Sequence, residues 1–144
     1  MNYIIIDSGV SIGGIEILLI EMCNYIVSKG DSVTFISKQK DTIYRKKILE
    51  SNKISHISLD INYDIEYLSP KKVQQIKNKF YKEFKLNKLE EYYVICPGFS
   101  HIQIGILLFS DKNNARLMHI WGHPEDWKNS INIISSPKMT SKLI

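Results

Sequence analysis

Five short apolar runs, separated by stretches of helical periodicity, constrain this chain more than any other feature. They are "NYIII" (2–6), "DSVTFIS" (31–37), "KISHISL" (53–59), "YYVIC" (92–96) and "ARLMHIW" (115–121). Short apolar runs rich in β-branched residues mark strands covered on both faces, as in a parallel sheet. Between the first two, "GGIEILLIEMCNYIVSKG" puts Ile15, Leu18, Leu19, Met22 and Ile26 on one helical face. Ile17 and Ile20 widen that face, and Gly30 supplies a stop. "SPKKVQQIKNKFYKEFKLNKLEE" (69–91) predicts a long helix capped by Ser69, with Pro70 as its first residue and Val73, Ile76, Phe80 and Phe84 as its apolar stripe. "PGFSHIQIGILLFSD" reads as a turn leading into an apolar helix. A short helix over 41–51, a sixth strand in "SINIISS" (130–136) and a helix beginning in "PKMTSKLI" complete the pattern, with 59–70 a loop. Strand–helix alternation of this kind predicts the α/β class: a Rossmann-like, doubly wound parallel sheet forming a single domain over residues 1–144.

Several classes of protein are excluded at this level. The stretch from Ile15 to Val27 is interrupted by Glu16, Glu21 and Asn24 and is too short to span a bilayer. "MNYIIID" has no basic start, and its apolar run ends at Asp7, so no secretory signal is visible. The two cysteines, Cys23 and Cys96, form no CxxC pair and read as reduced, buried thiols of a cytoplasmic protein. No repeat or low-complexity tract is present.

Ligands of doubly wound sheets bind at the carboxyl ends of the strands. The segments to examine are therefore 7–14, 37–41, 96–100 and 121–128. In the first, "DSGVSIGGIE", Gly9, Gly13 and Gly14 do not give GxGxxG, and no acid ends the second strand. No Gly-Lys-Ser/Thr follows, so a P-loop is excluded as well. Two readings stay open: a helix N-terminus with bare amides that favours an anion, or glycines that merely allow a tight turn. His119 and His123 are four apart, a metal-pair spacing on a helix but not where a strand passes into a loop, and no metal site is expected. His119 reads as a packed or edge histidine. His123, followed by Pro124 and lying between Trp121 and Trp127, is the better functional candidate. Cys96 ends a strand without an obvious base beside it and reads as a core thiol.

"GGIEILLIEMCNYIVSKGDSVTFIS" resembles the opening of the retaining nucleotide-sugar glycosyltransferases of GT-B architecture, the group 1 or family 4 glycosyltransferases. There a strand, a Gly-Gly-x-Glu loop and a helix ended by glycine precede the second strand. The matching positions are Gly13, Gly14, Glu16 and Gly30. "YYVICPGFSH", "ARLMHIWGHPEDW" and "INIISSPKMTSKLI" resemble the fourth, fifth and sixth strand regions. The resemblance implies an acceptor-side N-terminal domain, half of a cleft enzyme that moves a sugar from a nucleotide donor to a glycan or lipid-linked acceptor in bacterial surface polysaccharide assembly. It implies that Gly13 and Gly14 support phosphate or acceptor contacts, that Glu16 braces their loop, and that His123 lines the cleft as the catalytic candidate. It implies no cofactor and no metal, the nucleotide-sugar being substrate. The family's second domain carries Glu-x7-Glu, and the spacing of Glu83 and Glu91 matches by coincidence within a lysine-rich helix. The donor-binding domain is then expected from elsewhere, such as a separate chain, and the chain alone is expected to be inactive. The alternative reading is a non-catalytic Rossmann-like binding module or the inactive remnant of a split gene.

Charge is unevenly distributed. Residues 1–37 carry a net −3, residues 38–88 a net +7, and residues 89–144 none. Lys71, Lys72, Lys77, Lys79, Lys82, Lys85 and Lys88 fall on the predicted long helix. The plain reading is a solvated lysine face. The functional one is peripheral contact with anionic lipid headgroups on the inner face of a membrane. Nucleic acid is not an expected partner, because no stacking platform or known module accompanies the charge.

Overall fold

A computed structural model describes residues 1–7, 14–39, 53–61 and 68–119, the side chains of residues 14–16 and 99 excepted. The strands are β1 (Asn2–Asp7), β2 (Ser32–Ser37), β3 (Ile54–Ser58), β4 (Tyr92–Cys96) and β5 (Ala115–His119). The helices are α1 (Gly14–Ser28), α2 (Pro70–Glu83) and α3 (Phe99–Phe109). The five strands form one all-parallel sheet in the order β3-β2-β1-β4-β5. This is the expected α/β arrangement.

Two apolar layers sandwich the sheet. On one face Leu19, Met22, Cys23 and Ile26 of α1 pack on Tyr3, Ile5, Val33, Phe35, Tyr93 and Ile95. On the other, Ile76 and Phe80 of α2 and Ile104, Leu108 and Phe109 of α3 pack on Ile4, Ile6, Ile36, Val94 and Cys96. Helices on both faces make the sheet doubly wound. The middle strands β1 and β4 are accordingly buried along nearly their whole length, whereas β3 and β5, outermost among the described strands, alternate or lie half open. That explains why "ISHIS" and "ARLMH" are the more polar runs.

Local chemistry sets the helix ends. Asp31 and Gly30 donate their amides back to the carbonyls of Ile26 and Val27 at 3.3 and 3.0 Å, and Gly30 takes φ +84°, the left-handed turn that glycine adopts without strain. Ser69 caps α2, its hydroxyl accepting from the Lys72 amide at 3.2 Å, with Pro70 in the first turn. The predicted helix over 69–91 ends earlier, at Glu83. The apolar stripe 73–76–80–84 would next need an apolar residue at 87, where Asn87 stands. Phe84 instead leaves the helix in extended backbone and stacks on Phe80 with ring centroids 5.1 Å apart. On α3, Gly105 permits close approach to the sheet. A Cβ there would meet Leu117 Cδ2 at 2.6 Å and Cys96 Sγ at 2.8 Å. No helix among the described residues is long and apolar enough to cross a membrane. The predicted elements over 41–51 and 130–144 lie outside the described residues.

Candidate functional site

β1 and β4 are neighbours in the sheet, paired from Asn2↔Tyr92 to Ile5↔Ile95. The chain leaves β1 towards β2 on one side and leaves β4 towards β5 on the other. Their carboxyl ends therefore flank the topological switch point, the place where open α/β sheets hold ligands. Asp7 ends β1, and Cys96, Pro97 and Gly98 carry β4 into α3.

Polar residues gather along this edge and almost nowhere else in the core. Asp7, Ser37 and His101 are the buried polar or charged residues among those described. Asp7 and Ser37 are register partners at the ends of β1 and β2, and Ser37 pairs in turn with Ser58 at the end of β3. Across the switch point Cys96 is the register partner of His119, the last residue of β5. The edge thus runs serine, serine, aspartate, thiol, histidine.

His101 sits in the first turn of α3 and is only 5% exposed. Its Nδ1 accepts the amide N–H of Gly98, the N-cap residue, at 3.1 Å. This is half of a capping box, with imidazole in place of the usual Glu or Gln. An Nδ1 that accepts leaves the ring proton of neutral His101 on Nε2. Burial pushes the imidazole below its ordinary value; the negative charge of Asp7 opposes that shift and the neighbouring His119 adds to it. The site therefore presents a neutral, backbone-anchored imidazole close to a buried carboxyl group. Such a pair can orient hydroxyls, the imidazole Nε2–H donating a hydrogen bond and the carboxyl oxygens accepting one.

A second polar pair lies on the α1 side. Ser37 Oγ and His56 Nε2 are 2.8 Å apart, and the His56 ring lies 5.8 Å from that of Phe35. Ser37 is fully buried, so this pair ties β2 to β3 rather than offering a nucleophile. Cys96 is equally closed off. Burial raises its thiol to about 12, as it does for Cys23, and the core-thiol reading holds for both.

Of the residues singled out from sequence, Gly14 is the first residue of α1. Glu16 falls in the same first turn, but its side chain is not among those described. Gly13 and His123 lie outside the described residues. His119 is the exposed end of β5, as an edge histidine should be. Glu83 and Glu91 lie at the amino end of β4, away from the switch point, and Glu91 accepts from Arg116 at 3.2 Å. Sequence reasoning passed over Asp7 and His101. Two signals were available: an acid closing an apolar strand, and the Gly98-x-x-His101 spacing of a capping box. Among the described residues no group of three or more His, Cys, Asp or Glu side chains is placed to hold a metal ion. Comparison of the chain with protein-family models, with curated proteins and with solved structures finds no match.

Proposed function

We propose that this chain is the acceptor-side Rossmann-like domain of a nucleotide-sugar glycosyltransferase working at the cytoplasmic side of a bacterial membrane on a glycan or lipid-linked acceptor. The observation that carries the reading is the polar edge at the β1/β4 switch point, where His101, held neutral and fixed by the Gly98 amide, stands close to Asp7. The resemblance of Gly13, Gly14, Glu16 and Gly30 to the family's opening motif supplies the chemistry. In that reaction an acceptor hydroxyl oxygen bonds to the anomeric carbon as the bond from that carbon to the nucleotide phosphate breaks. The hydroxyl proton passes to the released phosphate.

The residues divide the work as follows. The amides around Gly13 and Gly14, at the N-terminus of α1, favour negative charge. Glu16 braces that turn, and His123 lines the cleft. The Nε2–H of His101 and the carboxyl group of Asp7 orient acceptor hydroxyls. A second domain, in the same chain or another, holds the nucleotide. No metal or other cofactor takes part.

Mass spectrometry after incubation with UDP- and GDP-sugars and membrane acceptors tests the division of labour. The chain alone should give no transferred sugar; product should appear when a donor-binding domain is supplied. Robust transfer by the isolated chain would overturn that division. Acceptor glycans should shift the amide resonances of residues 98–101 and of the first turn of α1, and unmoved resonances would overturn the acceptor-side assignment.

A further inference from the structure

The lysine-rich segment is more specific in three dimensions than as a charge count. Residues 68–89 hold seven lysines and one acid. Lys77 is turned to the body of the protein, donating to Asp111 at 3.0 Å. Lys71, Lys72, Lys79 and Lys82 fall within about one third of the helix circumference, beside the Ile76–Phe80 stripe that meets the sheet. All four are exposed, as are Lys85 and Lys88 just beyond the helix. Lys71, Lys79, Lys82, Lys85 and Lys88 have no ion-pair partner among the described residues.

At the end of this basic face stands Leu89, 96% exposed. Its position is built. The Leu89 amide donates to Asn87 Oδ1 at 2.9 Å, and Tyr92 Oη accepts the Asn87 amide at 3.0 Å. Asn114 Nδ2 donates to the carbonyls of Asn87 and Glu90 at 3.0 and 2.9 Å, tying the turn to the segment before β5. Glu90, the adjoining residue, is engaged by Asn2 at 2.9 Å. Beside the turn an open cleft is lined by Leu86, Lys88, Asp111, Lys112, Asn113 and Asn114, with Asp111 engaged by Lys77 at 3.0 Å and Lys112 resting over the Tyr81 ring at 4.8 Å. A braced turn that holds a leucine in water, next to the unpaired ammonium groups of Lys85 and Lys88, is wasteful in isolation. It matches a surface that is anionic outside and apolar just beneath.

We infer that this face is a membrane-docking surface, with Lys71, Lys72, Lys79, Lys82, Lys85 and Lys88 meeting anionic headgroups and Leu89 entering the acyl boundary. Nucleic acid fits less well. The aromatic rings of the segment are not free for stacking: Phe80 and Phe84 are buried and Tyr81 Oη donates to the Leu108 carbonyl at 2.6 Å. Leu89 would have no role there. The docking surface does not depend on what the other end of the sheet binds.

Flotation of the whole chain with phosphatidylcholine vesicles, with and without about one third phosphatidylglycerol, tests this. Binding should need the anionic lipid and fall steeply with added salt. Each lysine near a charged surface contributes about fivefold to partitioning, so Lys79→Gln/Lys82→Gln should weaken it by roughly 25-fold. Leu89→Ser should weaken it by roughly tenfold with an unchanged melting temperature, because the side chain touches little in the fold. Lys29→Gln/Lys53→Gln, the same charge loss elsewhere, should change it less than about threefold. Absence of binding to the anionic vesicles would overturn the inference. So would equal losses from the two lysine pairs, or tighter binding to single-stranded RNA that Leu89→Ser leaves unchanged.

Discussion

Replacing Gly105 by alanine should destabilise the protein, although alanine is the better helix former. In an open helix the exchange gains about 1 kcal/mol. Here the added methyl lies between α3 and the sheet, 2.6 Å from Leu117 Cδ2, 2.8 Å from Cys96 Sγ and 3.5 Å from Ile6 Cδ1. Carbon contacts are optimal near about 3.5–4.0 Å, so two of the three are short by roughly 1 Å. Leu117 is half-buried and its methyl ends a flexible side chain, so it can turn aside at a cost of about 1 kcal/mol. Cys96 cannot: its short side chain is fully enclosed, and the helix has to lift from β4. Overpacking of this kind costs about 2–3 kcal/mol, which leaves a net loss of about 1–2 kcal/mol after the helix-propensity gain. For a chain of this size that is a fall in Tm of about 3–6 °C. Calorimetry or urea titration of wild type, Gly105→Ala, Cys96→Ala and the double variant closes the cycle. Removing Sγ should make room for the methyl, so Gly105→Ala in the Cys96→Ala background should cost about 1 kcal/mol less. A rise in Tm for Gly105→Ala, or an equal penalty in both backgrounds, refutes the packing argument.

Two further outcomes follow from the same core. Cys23 and Cys96, both raised to about 12 by burial, should not react with a chromogenic disulfide at pH 8 over minutes in the folded protein, and both should react at once in guanidinium; one fast thiol in the native state would contradict their enclosure. His101 should make stability fall as the solution is acidified: the unfolded chain takes up its proton near the ordinary imidazole value, the folded chain only at lower pH, so between the two the unfolded state holds more protons. Urea midpoints at pH 7, 6 and 5 should show this loss, and His101→Gln, which keeps an acceptor for the Gly98 amide, should flatten the slope by at most about 1.4 kcal/mol per pH unit; an unchanged slope would show that His101 is not held neutral.

The sheet was legible because its central strands have no polar face to disguise them. "YIII" and "YYVIC" are buried on both sides, and continuous apolar runs of that length leave few alternatives to a parallel sheet. The end of α2 was less legible, because lysines and glutamates continue a helical composition past Glu83. What stops the helix is Phe84 turning into the aromatic cluster with Phe80, Tyr92 and Phe109, a tertiary contact with no local signature. The site divided in the same way. Glycines and a histidine before proline stand out in a linear reading, so Gly13, Gly14 and His123 were noticed. The importance of Asp7 and His101 comes from burial and from meeting across a switch point, which only the strand order β3-β2-β1-β4-β5 creates.

The strand order also separates the two proposed surfaces. All five strands run the same way, so the polar edge with Asp7, His101 and His119 lies at one end of the sheet and the Asn87–Glu90 turn at the other. Five-residue β4 spans the gap, roughly 13–17 Å of rigid, hydrogen-bonded backbone. Side chains that far apart with no shared partner act independently. Changes at Leu89 should therefore leave ligand-induced shifts around His101 intact, and changes at His101 should leave vesicle binding intact.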